Sequence, residues 1–98
     1  MCGAPAQDKA GLDGVDLSKV TVIQGRVVRA GDAVAGAYVR LLDATGEFTA
    51  EVQTSAEGHY RFFAAPGEWT VRALAPGATS EQRLAAEVGL NEAELSLA

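Results

Sequence analysis

From Val20 onward, apolar and polar residues alternate with a period of two. In VTVIQGRVV, Ile23, Gly25 and Val27 fall on one side, and Val22, Gln24, Arg26 and Val28 on the other. Successive side chains of a strand point to opposite faces, so this period predicts a strand. AYVRLL repeats the pattern with Ala37, Val39 and Leu41 against Tyr38, Arg40 and Leu42, and FTAEVQT sets Phe48, Ala50 and Val52 against Thr49, Glu51 and Gln53. Tyr60 and Phe62 oppose His59, Arg61 and Phe63; Trp69, Val71 and Ala73 go together; Leu95 and Leu97 alternate with polar neighbours. Turn signals separate these runs at Gly31-Asp32, DATGE, Glu57-Gly58, Ala65-Pro66-Gly67 and PGATS. EQRLAAEV combines weak alternation with good helix propensity and reads as a poor strand from its context.

The spacing predicts seven short strands in a single all-β antiparallel sandwich over residues 20–98. Its inward sets are Ile23/Val27, Val39/Leu41, Tyr60/Phe62 and Trp69/Val71, and no segment has the length and period of an amphipathic helix. Residues 1–19, rich in Ala, Gly and Asp, read as a flexible N-terminal tail in which Val15 and Leu17 are docking points. The 98 residues make one domain. A domain of this size buries roughly 60–65% of its unfolded surface, which leaves a thin core.

Charge narrows the classes of partner. The net charge of −5 argues against nucleic acid and anionic membrane, both of which need a basic surface. Cys2 is the one cysteine, so no internal disulfide forms, which suits a reducing compartment. No apolar run reaches bilayer length, and MCGAPAQDKAGLDG lacks the basic start and apolar stretch of a signal peptide. The expected location is the cytoplasm.

Four motifs in order carry a resemblance: Ile23-x-Gly25-x-Val27, Gly36-Ala37-x-Val39, Gly58-x-Tyr60-x-Phe62 and Pro66-Gly67-x-Trp69-x-Val71. Together they resemble the carboxypeptidase-regulatory-like, transthyretin-like (Ig-like) sandwich. Gly25 is then expected to let a neighbouring side chain cross over it, and Trp69 and Tyr60 to be buried. The Met1-Cys2 opening with VIQGRVV, AYVRLLD, GEFTAEV and RFFAAPGEWTVRAL is similar to the SseC-like actinobacterial family, whose biochemical function is unknown. That resemblance implies an association with thiosulfate and sulfane-sulfur metabolism and, as a partner, a thiosulfate sulfurtransferase.

Candidate chemistry is sparse. Cys2, once Met1 is removed, would place a thiol beside an α-amine, which favours thiolate and makes it a sulfur-carrier candidate. His59 is the one histidine; with no second thiol or carboxylate cluster in its sequence neighbourhood it reads as a surface strand residue. No serine sits in a G-x-S-x-G context, and no pair of acids is set in apolar surroundings, so catalytic residues, a metal site and a cofactor are not expected.

The remaining signal is an apolar excess on positions opposite the inward sets, interleaved with arginines. Tyr38, Arg40, Leu42, Arg61, Phe63 and Arg72 are the partner-binding candidates, because arginine and aromatic residues are enriched at contacts. Two arginines that converged would alternatively hold a small oxyanion such as thiosulfate or sulfate. The expectation is a non-enzymatic accessory protein. A sulfur carrier using Cys2, and a structural homo-oligomer pairing through the same face, are the alternatives.

Overall fold

The computed structural model describes residues 16–97, and these fold into two β-sheets packed face to face. Nine strands are present among the described residues: β1 (Thr21–Arg29), β2 (Asp32–Ala33), β3 (Tyr38–Leu42), β4 (Phe48–Gln53), β5 (His59–Ala64), β6 (Gly67–Ala75), β7 (Ala78–Ala86), β8 (Gly89–Glu92) and β9 (Leu95–Leu97). One sheet runs β4-β3-β6-β7. The other is built around β1, with β2 and β5 antiparallel to it and β8 and β9 parallel to it.

The sandwich expected from the alternation is therefore present, with two corrections. The strand count is nine rather than seven, because β2 is a two-residue rung inside AGDAVAGA and because β8 forms in a Gly-Leu-Asn-Glu stretch with little strand signal. The pairing is not wholly antiparallel either. The chain leaves β7 in one sheet, crosses to the other, and returns beside β1 in the same direction as β1. Asn91 fixes that crossing: its Nδ2 donates to the carbonyls of Val22 (3.1 Å) and Glu87 (2.8 Å), and its Oδ1 accepts from the Glu87 N–H (3.0 Å).

EQRLAAEV is strand as far as Ala86. Nine residue pairs join β6 to β7, from Gly67 opposite Ala86 to Ala75 opposite Ala78, so the ladder overrides local helix propensity. Residues 16–19, assigned to the tail from sequence, make a turn in which Asp16 Oδ1 accepts from the Ser18 N–H (3.0 Å) and hydroxyl (2.6 Å). These bonds hold the Asp16 carboxyl below the usual carboxylate range. Leu17 is half-buried, whereas Val15 lies outside the described residues.

The core lies between the sheets and consists of Ile23, Val27, Val39, Leu41, Tyr60, Phe62, Val71, Leu95 and Leu97 with smaller residues around them. The expected inward sets are all there; Trp69 packs against the core but is half-buried rather than buried, and donates its indole N–H to the Ala65 carbonyl (2.8 Å). Tyr60 is buried, as expected, and its hydroxyl donates to the Ala93 carbonyl (2.6 Å). Two glycines are required by geometry. A Cβ on Gly25 would land inside the Ala93 carbonyl group and reach within 3.1 Å of the Tyr60 ring, so a main chain crosses there as well as a side chain. Gly58 sits at φ +80°, and a Cβ there would lie 2.8 Å from the Val27 carbonyl oxygen.

Candidate functional site

The two sheets present two outer faces, and the six sequence candidates divide between them. Tyr38, Arg40 and Leu42 lie on β3 and Arg72 on β6, in the four-stranded sheet, whereas Arg61 and Phe63 lie on β5 in the other. No single arginine-aromatic face gathers all six, because alternation places a residue on a side of its own strand and does not say which sheet the strand joins. Cys2 lies outside the described residues.

On the four-stranded face a row of charges crosses every strand. Arg40 is opposite both Glu51 and Arg72, and Arg72 is opposite Glu81. Two arginines side by side repel, but each is held by its own acid: Arg40 Nε lies 2.8 Å from Glu51 Oε2, and Arg72 Nε 2.9 Å from Glu81 Oε1. The Arg40 guanidinium also sits 5.8 Å from the centre of the Phe48 ring. Tyr38 and Phe48 are exposed beside this row. Leu42 has the parity of an outward residue but is buried, since the pairing of β3 with β4 slips between Leu41 and Leu42. Along this row each arginine is held by an acid.

The outer face of the β1 sheet is organised differently. At one end, Val22 is flanked by Phe63 on β5 and Leu90 on β8. Val22 is fully buried, while Phe63 is 57% and Leu90 44% exposed, and the neighbouring Val88 is exposed as well. Farther along β1 the strip turns polar: Gln24 is opposite Arg61 on one side and Glu92 on the other, and Arg26 is opposite His59. Arg61 is a buried charge, 8% exposed, whose Nε donates to Gln24 Oε1 (3.1 Å). Arg26 Nε is buried without a hydrogen-bond partner.

A cleft of about 360 Å³ opens on this polar half, lined by Gln24, Arg26, His59, Arg61, Glu92 and Glu94 over a floor that includes Gly25 and Ala93. Its origin is local. The register of β1 with the returning chain is the same before and after the gap, Gln24 opposite Glu92 and Val27 opposite Leu95. Between those pairs the ladder is interrupted, and the Ala93 peptide packs over Gly25, where Tyr60 takes its carbonyl. Glu92 and Glu94 flank Ala93. Neither forms an ion pair with Arg26 or Arg61: among the described residues the ion pairs are Lys19–Asp16, Arg40–Glu51 and Arg72–Glu81. From sequence, an oxyanion site requires two arginines to converge; Arg26 and Arg61 both line this cleft. It missed Glu92, Glu94 and the role of His59 as a lining residue, because β8 and its parallel pairing carried no strand signal.

Among the described residues, no three His, Cys, Asp or Glu side chains gather as a metal centre would require, and no helix is long and apolar enough to cross a membrane. The fold is shared with solved structures of varied kinds. The major pilin subunit BcpA of Bacillus cereus superposes with a TM-score of 0.67 at 16% identity, over 81% of this chain and 29% of that one. Chlorocatechol 1,2-dioxygenase from Pseudomonas putida gives 0.65 at 12% identity, over 99% of this chain and 68% of that one. At such identities the likeness is one of fold alone. Sequence relatives are nearer: the uncharacterized protein Rv0814c of Mycobacterium tuberculosis is 61% identical over 75 residues, which is 76% of this chain and 75% of that one. An uncharacterized protein of Mycolicibacterium smegmatis is 55% identical over 87 residues, 87% of this chain and 97% of that one. With a match running from residue 2 to residue 97, the chain belongs to the family described as protein of unknown function (DUF1416).

Proposed function

We propose that this protein is a non-enzymatic binding protein of thiosulfate and sulfane-sulfur metabolism. Its apolar strip on the β1 sheet docks a cytoplasmic thiosulfate sulfurtransferase. The observation that carries the binding role is the strip itself, where Phe63, Leu90 and Val88 stand exposed around a buried Val22 with Arg61 beside them. Interfaces place aromatic anchors next to arginine and surround them with polar residues, and the polar cleft supplies that border. The link to sulfur chemistry is supported by the resemblance of VIQGRVV, AYVRLLD and RFFAAPGEWTVRAL to the SseC-like family, within the transthyretin-like sandwiches.

The row of Arg40 and Arg72 on the four-stranded face is the weaker docking surface, because these arginines already hold carboxylates and would have to exchange them for a partner's. Titration calorimetry of the full chain with a thiosulfate sulfurtransferase from the same source tests the reading. Binding is expected, with Phe63→Ser weakening it at least about 10-fold, the size of effect an aromatic anchor carries. No binding by the unaltered chain overturns the proposal, as does binding that is indifferent to Phe63. Light scattering of the chain alone distinguishes the structural alternative: a dimer that Phe63→Ser dissolves would assign the strip to self-association.

A further inference from the structure

We propose that the cleft between β1, β5 and the β8–β9 connection is a binding site for a small zwitterion, a molecule carrying a carboxylate and an ammonium group, of which a free amino acid is the simplest kind. The argument starts from the charges that line it. Arg61 is more than nine-tenths buried and has no carboxylate within ion-pair distance among the described residues; its Nε is held by the neutral Gln24. A buried guanidinium without an acid is costly unless another anion completes it. Arg26, on the same side of the neighbouring strand, contributes a buried Nε that nothing accepts from. These two side chains form a cationic pole, with His59 beside them as a third nitrogen donor.

The opposite wall of the same cleft carries Glu92 and Glu94. Arg26 lies on β1 beside the returning chain that carries Glu92 and Glu94, and Arg61 lies one strand farther away on β5; these arginines and acids form no ion pair, while elsewhere in this molecule Arg–Glu pairs on neighbouring strands close to 2.8 and 2.9 Å. The cleft therefore holds its poles apart. Ala93, locked by the Tyr60 hydroxyl and packed over Gly25, fixes the main chain between Glu92 and Glu94. A simple oxyanion would satisfy the arginines but would also meet both carboxylates, and like charges in a partly desolvated site repel strongly. A ligand with an anionic and a cationic end answers both walls. The volume, about 360 Å³, lies within the range of small-molecule sites and accommodates a solute of amino-acid size.

This cleft borders the Phe63 strip and shares Arg61 with it, but its ligand is a small molecule and its test uses no protein partner, so the two proposals fail independently. The probes are the twenty free L-amino acids, each titrated into the full ¹⁵N-labelled chain and followed by amide shifts. The expected result is saturable binding of at least one of them, with shifts centred on Gln24–Arg26, His59–Arg61 and Glu92–Glu94. The amidated and N-acetylated forms of that amino acid should bind at least 10-fold more weakly, as should Arg61→Met and Glu94→Gln, and Phe63→Ser should bind as the unaltered chain does. Urea denaturation of each variant checks folding, and Arg26→Gln serves in place of Arg61→Met if the latter does not fold. Sulfate or thiosulfate binding at the same residues as tightly as the best amino acid would overturn the zwitterion assignment, and so would the absence of saturable shifts with all twenty.

Discussion

The two outer faces of the sandwich use the same residue types and reach opposite ends. Across the four-stranded sheet, Arg40 and Arg72 are neutralised in place by Glu51 and Glu81. Across the β1 sheet, Arg26 and Arg61 face Glu92 and Glu94 in one cleft and pair with neither. The difference comes from the backbone. On the first face the ladder is continuous around the charged row, so opposite side chains stand at contact distance. On the second, the pairing of β1 with the returning chain is interrupted between Glu92 and Leu95, and β1 itself stands between Arg61 and that chain, so the arginines are not set against the acids as in the first row. An arginine count alone cannot tell a stabilised surface from one with capacity to bind.

The largest expected effect breaks the second face at its base. Gly25→Ala places a methyl where the Ala93 carbonyl lies, and backbone must move to admit it. Overpacking of this kind costs about 3 kcal/mol or more, measurable by urea denaturation, and it should also abolish amide shifts at Glu92–Glu94 on ligand addition. A loss near zero would mean that the crossing is easily rearranged.

Tyr60→Phe is gentler. It leaves the buried Ala93 carbonyl without its donor, for an expected loss of about 1–2 kcal/mol. The same residue gives a pH signature. Burial raises the Tyr60 phenol well above its ordinary value of 10.0, so the folded state keeps the proton where the unfolded chain loses it. Above about pH 10 the unfolded state binds fewer protons, and stability should fall by up to about 1.4 kcal/mol per pH unit. The fall should be shallower in Tyr60→Phe.

Smaller effects sharpen the contrast between the arginines. Arg61→Met replaces a buried charge that lacks an acid, so folding stability should stay within about 1 kcal/mol of the unaltered chain or rise. Arg40→Ala should cost less than about 1 kcal/mol, since the Glu51 pair is solvent-exposed on the arginine side, and a double-mutant cycle with Glu51→Ala isolates that value. If Arg61 proved as stabilising as a core residue, the cleft would be a structural element and the contrast between the faces would fail.

Much of this architecture is legible in the alternation. β1, β3, β4, β5 and β6 stand where period two places them, and the buried Tyr60 follows from its pairing with Phe62 on the inward side. What escapes is anything that depends on which strands become neighbours. Arg61 and Arg40 look alike in sequence, each flanked by apolar residues, yet one is buried beside β1 and the other pairs in the open beside β4. β8 escapes because its residues are chosen by the parallel return to β1 and by Asn91, and neither leaves a local pattern. Gly25 was marked as a crossing point, but the identity of the crossing group, the Ala93 main chain nearly seventy positions away, is a tertiary fact.

The central claim is that the β1 face is the binding face and the four-stranded face is not. Hydrogen exchange of the full chain, alone and with the thiosulfate sulfurtransferase, tests it most directly. The account predicts slowed exchange in His59–Ala64 and Gly89–Glu92, with Tyr38–Leu42 and Gly67–Ala75 unchanged. Protection confined to Tyr38–Leu42 and its neighbours in the four-stranded sheet would contradict it.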